Sequence, residues 1–434
     1  MFQVFRFLRW ALAPRTSPHA RSRRSLALSA AVILIAFVLP APSNPARAQE
    51  AAPAGSETRG LWVLRSSLTS PAAIAALVRT AKDQGFNTLL VQVRGRADAY
   101  YTTDLEPRAS DLARQPAAFD PLATLLAEAR PQGIRVHAWV SVNLVSSAAA
   151  LPASAEHLVY RHPEWLMVPR AVAQDLAKLD PGNPAYVGKI ARWTRAESET
   201  VEGLYASPLQ PDAAAHTERV ITELARRYEL DGIHLDYVRF PNSQYDYSRY
   251  SIAEFRAEIR PKIASEARRA LDADEATDLF AYPDRFPAEW TAFRRARLTA
   301  LVSRIREGVR AARPSALLTA AVFPDPQDAF SERMQDWRGW LGSRLVDAVA
   351  PMAYTQEPAR FAEQIAAARD IAGGRVIWAG IGAYRLTPAQ TIENIQAARR
   401  LGAGGFVLFS YDSLTGPKPP APDYLPTVSR AFDK

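Results

Sequence analysis

The chain of 434 residues has no cysteine, which excludes disulfides, thiolate metal sites and a lipid-modified N-terminal cysteine. Its first 48 residues hold no Asp or Glu, yet they carry seven Arg, at positions 6, 9, 15, 21, 23, 24 and 47. Setting those seven charges aside takes the formal net charge from +8 to +1. The basic character therefore belongs to the leader, and the rest of the chain gives no reason to expect nucleic acid or an anionic membrane as a partner. The apolar run from Leu26 to Leu39 is 14 residues long, short of the roughly 20 that span a bilayer. The six His show no metal-ligand spacing and no Gly-rich phosphate loop is present, so neither a metal nor another cofactor is expected.

What the N-terminus does contain reads as an export signal. Arg21-Ser22-Arg23-Arg24 precedes the apolar run, which ends in Pro40 and leads to Ala46-Arg47-Ala48. Cleavage after Ala48 would leave no stable membrane anchor and a periplasmic or extracellular protein. Residues 49–57, rich in Ala, Pro, Ser and Gly, read as a disordered linker, and 58–434 as the functional domain. Ser22-Arg23-Arg24 fits a twin-arginine signal only in part, which leaves the export route open.

From residue 59 onward, short apolar runs alternate with helical patterns, the mark of repeated βα units around a parallel sheet. Strands are expected at 61–65, 88–94, 134–142, 232–239, 316–323, 346–354, 375–381 and 405–411. Eight is the number of a TIM (β/α)8 barrel. The helices between them carry a recurring signature: Ser70-Pro71, Asp120-Pro121 and Thr387-Pro388 each open an amphipathic segment that stops at Gly85, Gly133 or Gly402. Two connections, about 145–212 and 241–290, far exceed ordinary βα loops. Loops after strands build the active face of such barrels, so these excursions suggest the walls of a groove.

The stretch DGIHLDYVRFP, 231–241, places charge in a buried strand. Alternation puts Ile233, Leu235 and Tyr237 on one face and His234, Asp236 and Val238 on the other. Turning the apolar set to the helices points His234 into the barrel and Asp236 to its C-terminal mouth. The opposite choice would bury a carboxylate in the dry helix layer. An ion pair with Arg239 is the structural reading of Asp236, and a packed supporting role is the commoner one for His234.

The second strand turns Gln92 and Arg94 inward, with Arg96 and Asp98 in the loop above. Asp98 is the second carboxylate favoured by position, a loop-fixing hydrogen bond being its other reading. The third strand adds Trp139 and Asn143. Later strand ends contribute Asp325, Tyr354, Glu357, Tyr384, Tyr411 and Asp412. An aromatic, acidic mouth suits a neutral polyhydroxylated ligand better than a phosphorylated one.

Several segments together resemble the bacterial glycosyl-hydrolase-like family 10 proteins: RGLW at 59–62, GFNTLLVQVRGRADAYY at 85–101, GIRVHAWVSVN at 133–143, HPEWLM at 162–167, LDPGNP at 179–184, DGIHLDYVRFP, DAVAPMAY and GGFVLFSYDSL. The resemblance covers most of 59–415 and implies an envelope TIM-barrel protein linked to cleavage of polysaccharide such as peptidoglycan glycan strands. Two departures stand out. Tyr237 takes the place of a second acidic residue, and Gly95 that of a proline between two arginines.

These readings make Asp236 the nucleophile or base and Asp98 the first choice for the general acid, followed by Asp325, Glu357 and Asp412, of an exported two-carboxylate glycoside hydrolase acting on a cell-envelope or extracellular polysaccharide. His234, Arg94 and Arg239 would hold Asp236 ionised. Gln92, Arg94, Arg96, Trp139, Asn143, His234, Arg239, Tyr354, Tyr384 and Tyr411 would bind substrate. Tyr237 keeps a second class alive, a glycan-binding protein that uses the same groove without cleaving. The oligomeric state is not legible.

Overall fold

The computed structural model describes residues 57–432. The export signal expected over 1–48 and the linker up to residue 56 lie outside them. Glu57 is already fixed, its carboxylate accepting from Arg399 Nε at 2.7 Å and Nη2 at 2.8 Å.

Nine strands make one parallel sheet: β1 (Thr58–Val63), β2 (Thr88–Arg94), β3 (Arg135–Ser141), β4 (Gly232–Asp236), β5 (Leu317–Val322), β6 (Ala348–Pro351), β7 (Val376–Ile377), β8 (Ala379–Ile381) and β9 (Gly405–Phe409). β1 pairs with both β2 and β9, which brings the two ends of the chain's strand series together. β7 and β8 are one stave interrupted at Trp378, the first half paired with β6 and the second with β9. A bridge between Met352 and Gly380 links the second half back towards β6. The sheet is thus a nearly closed eight-stave (β/α)8 barrel, as expected.

Alternation along the strands sorts the apolar side chains into two cores. Leu61, Leu89, Val91, Ala138, Ile233, Leu235, Leu318 and Leu408 point outward and belong to the large core shared with the helices. Trp62, Leu90, Trp139, Ala321, Ala350, Trp378 and Val407 fill the barrel interior. Three indoles fit there because small residues face them. A Cβ on Gly380, for example, would meet Trp62 Cη2 at 3.0 Å and the Pro351 carbonyl oxygen at 2.6 Å.

The helix signals operate as the residues suggest. Ser70, Asp120 and Thr387 each accept a hydrogen bond from the backbone N–H three residues on, satisfying a donor the first turn leaves open. Gly85, Gly133 and Gly402 close these segments with positive φ of 70°, 69° and 75°, a region glycine enters without steric cost.

Both long excursions are present and fold into helices, Leu158–Arg161, Arg170–Leu176 and Pro184–Ala196 in the first, Arg249–Ile259, Ser265–Glu275 and Ala281–Arg285 in the second. They are tied to each other: Asp246 Oδ1 accepts from Val168 N at 2.7 Å, and Arg170 pairs with Asp284 at 2.7 Å. A cleft of about 330 Å³ between them, lined by Glu164, Tyr186, Gln210 and Tyr250, is separate from the barrel mouth.

Candidate active site

β4 runs inward-outward as expected only as far as Asp236. Tyr237 takes φ of 50°, left-handed backbone that costs a non-glycine residue of order 1–3 kcal/mol and ends the strand three residues early. The turn brings the Tyr237 N–H back onto Asp236 Oδ1 at 2.7 Å. Two more donors converge on the same carboxyl: Trp139 Nε1 on Oδ2 at 3.1 Å and Arg239 Nη1 on Oδ1 at 3.4 Å. Asp236 is 7% exposed. Burial pushes its carboxyl up, opposed by Arg239, the Tyr237 N–H and the Trp139 indole.

Arg239 is the organiser of this corner. Its guanidinium lies 4.1 Å from the Tyr237 ring centroid and 5.2 Å from that of Phe323. Burial would strip its proton, but Tyr205, Glu202, Asp236 and Tyr237 around it hold it protonated. Asn143, fully inside, donates Nδ2–H to the Arg239 carbonyl at 3.1 Å. That makes Asn143 a brace for Arg239 rather than a surface for substrate.

The second carboxyl on this guanidinium is one the sequence reading did not single out. Arg239 Nη2 donates to Glu202 Oε1 at 3.3 Å, and the Tyr205 hydroxyl donates to Oε2 at 2.5 Å. Glu202 lies on the return leg of the first excursion, which pairs antiparallel with the chain leaving β3: Val145 N donates to the Leu204 carbonyl at 2.8 Å, Ala148 N to that of Glu202 at 2.9 Å, and Ala206 N to that of Asn143 at 2.7 Å. Only glycine fits beside it, since a Cβ on Gly203 would come within 1.7 Å of the Ser146 carbonyl oxygen. The one signal in the sequence was the stretch Glu202-Gly203-Leu204-Tyr205 inside a long connection, with no periodicity to aim it.

The other expected residues divide. Asp98 stands half-buried in the loop after β2 and spends Oδ1 on the Arg96 N–H at 3.0 Å. Gln92 accepts from Arg65 Nη1 at 2.9 Å. Gly95 is small because that guanidinium lies against it, 2.4 Å from where a Cβ would be. Arg96, half-buried, has its proton affinity lowered by burial and by Arg65 nearby. Tyr354, Tyr384 and Phe409 pack edge-to-face and stacked, with centroids 5.5 to 6.4 Å apart, as one aromatic wall. Asp325 caps the helix Pro326–Ser331, and Asp412 is occupied by Leu64 N, Ser66 and Ser67.

Four further expectations are corrected. Arg94 does not reach Asp236 or the mouth: it forms a two-pronged pair with Glu106 at 2.6 and 2.7 Å, buried to 1% and 2% side-chain exposure, and donates to the Ser141 carbonyl. His234 is not a cation. Its Nε2 accepts from Trp62 Nε1 at 3.0 Å and its Nδ1 meets Thr319 Oγ1 at 2.9 Å, while burial depresses its basicity far below the usual range. Trp139 is 3% exposed and packed in the barrel, so it serves Asp236 through its N–H and offers no face to a sugar. Tyr411 starts a helix capped by Ser410 after β9 ends at Phe409, and it packs in the outer core. Among the described residues no group of three or more His, Asp or Glu is gathered as metal ligands.

The buried carboxyl at the end of the fourth stave and the wall of aromatic rings sit on a barrel of the fold shared by TIM-barrel glycoside hydrolases. The chain belongs to the Glycosyl hydrolase-like 10 family, whose pattern matches residues 57–399. It is similar to the glycosyl hydrolase YngK of Bacillus subtilis strain 168, with 22% identity over 300 residues, 64% of this chain and 48% of that protein. It is similar also to the glycosyl hydrolase DigH of Escherichia coli K12, with 23% identity over 301 residues, 62% of this chain and 55% of DigH. The chain thus matches about half the length of these relatives. Among solved structures, the glycoside hydrolase domain of PgaB (BpsB) from Bordetella bronchiseptica shares the fold with TM-score 0.58 and 16% identity, over 82% of this chain and 95% of that domain. The β-amylase catalytic domain from Paenibacillus polymyxa does so with TM-score 0.57 and 10% identity, over 87% and 99%.

Proposed function

We propose that the protein is an exported glycoside hydrolase that cleaves a cell-envelope or extracellular polysaccharide, with peptidoglycan glycan strands as the first candidate. The observation that carries the reading is Asp236: a carboxyl at the C-terminal end of a barrel strand, gripped by three donors, with another carboxyl on the same guanidinium. Glycosidic hydrolysis needs two carboxyl groups about 5 to 9.5 Å apart, one to protonate the leaving oxygen and one to meet the anomeric carbon or its water. The wall of Tyr354, Tyr384 and Phe409 supports a sugar-binding mouth, because flat apolar rings match the C–H faces of pyranoses. Arg96, half-buried in the loop after β2, is the polar side chain this reading assigns to sugar hydroxyls, while Gln92 is buried and held by Arg65. Export rests on the leader sequence alone.

The test mixes the mature protein with peptidoglycan glycan strands, with and without stem peptides, and with chitin, glucan and galactan. Reducing ends should appear from at least one polymer, and Asp236→Asn should lower the rate by about 1000-fold or more. Retention of a polymer with no release of reducing ends would make the protein a binder and end the hydrolase reading.

A further inference from the structure

We infer that Glu202, not Asp98, is the second carboxyl of the reaction, working with Asp236 across the guanidinium of Arg239; the inference rests on the hydrolase reading above.

Geometry favours Glu202. It and Asp236 bond different terminal nitrogens of one guanidinium, at 3.3 and 3.4 Å. The rigid fork of that group keeps the bonded oxygens within about 9 Å of each other. That bound stays below the upper end, about 9.5 Å, of the carboxyl separations that glycoside hydrolysis uses. Glu202 also has access, with 17% of its side chain exposed, where the fully enclosed Glu106 has 2%. Its backbone is fixed by the pairing with 143–148, so its reach is set by one side chain alone.

Three of the four competing carboxyls have other work, and the fourth, Glu357, stands exposed at the head of the helix Pro358–Ala372 without capping it. Asp98 closes a turn, Asp325 caps a helix and Asp412 anchors the loop after β1. Glu202 caps nothing and closes no turn. Its partners are Arg239 and the hydroxyl of Tyr205, which is 1% exposed.

In the bond-breaking step one carboxyl O–H gives its proton to the glycosidic oxygen as the bond from that oxygen to the anomeric carbon breaks, the electron pair leaving with the oxygen. The other carboxylate either bonds to the anomeric carbon or takes a proton from the water that does. Hydrolysis is complete when water's O–H has been divided between the two sugar ends and the pair again holds one proton.

The experiment uses the polymer from which the wild-type protein releases reducing ends. Glu202→Gln and Glu202→Ala should each lose about 1000-fold in kcat/KM, while Asp98→Asn stays within about threefold. In Glu202→Ala, sodium azide or formate should restore at least about tenfold, and the pH profile should lose one limb. Tyr205→Phe, which leaves the carboxyl in place, should move that limb without abolishing turnover, and it serves should the Glu202 variants fail to fold. Glu202→Gln within about tenfold of wild type overturns the inference while leaving the hydrolase reading intact. So does a loss that keeps both pH limbs and ignores azide and formate. A wild-type protein that releases reducing ends from none of the polymers sinks both.

Discussion

Across the barrel interior, the indole N–H of Trp62 on β1 donates to Nε2 of His234 on β4 at 3.0 Å. An acceptor nitrogen carries no proton, so the hydrogen of this imidazole sits on Nδ1 and is donated to Thr319 Oγ1. The two contacts explain how a histidine lives in the middle of a buried strand: it is neutral, fully partnered and packed beside the Trp62 ring.

His234 should therefore not titrate in solution. Its ring resonances should stay fixed between about pH 5 and 8, with nitrogen shifts of the neutral Nδ1–H tautomer. A midpoint within that window would contradict the placement. Trp62→Phe removes the donor and should cost about 1–3 kcal/mol in urea unfolding.

Glu106 supplies a pH dependence of definite sign. Burial alone would push its carboxyl up, but Arg94 and His216 outweigh it and hold the group at about 2, against an ordinary value of 4.5. A value lower in the fold than in the open chain stabilises the fold above the open-chain value, and this stabilisation drains away as the pH falls from about 4.5 towards 2. It should amount to about 3 kcal/mol. Asp236 and Asp246, which burial pushes up, act in the opposite sense and are common to the comparison with Glu106→Gln. Urea unfolding at about pH 6 and pH 3 should show a larger acid loss in wild type than in that variant. Glu106→Gln itself should be less stable at neutral pH by about 3–5 kcal/mol, since it strands Arg94.

Gly203→Ala tests the backbone that carries Glu202. The new methyl has no room against the Ser146 carbonyl, so the return leg must shift and take the carboxyl with it. A displacement near 1 Å costs about 100-fold in rate. Turnover of the folded variant should fall by that order, and the thermal midpoint should fall with it, because Val201, Leu204 and Tyr205 on this segment belong to the outer core. Unchanged turnover would detach Glu202 from the chemistry.

Tyr354→Ala opens the aromatic wall. KM for the cleaved glycan should rise about tenfold and kcat fall less, the size expected for one lost stacking surface. Equal loss in kcat with KM unchanged would place Tyr354 among the reacting groups instead.

Most of the barrel was legible because it is built on periodicity: inward and outward side chains alternate, and Ser70, Asp120 and Thr387 mark helix starts by local hydrogen bonds. Asp236 could be placed from the same rule. Parity failed where the backbone left the strand, at Tyr237 and after Phe409, and no neighbour in sequence announces a positive φ on a tyrosine. Arg94 was expected inward, but the register slips between Gln92 and Arg94 and sets Arg94 opposite the outward Val140, and its partner Glu106 sits in a loop with no repeat to locate it. Glu202 was hidden for the same reason, arriving from an excursion whose path is fixed by pairing with residues nearly 60 positions earlier.

The stave made of β7 and β8 gives the ring a weak joint. Its halves hold only two and three residues, and the link back to β6 beyond Ile377 is the Trp378 N–H on Val349 and the Met352–Gly380 bridge. Backbone amides of 376–381 should exchange with solvent sooner than those of β2 to β4, and a cylinder that starts to unroll should unroll from there, on the side of the mouth that carries Tyr384.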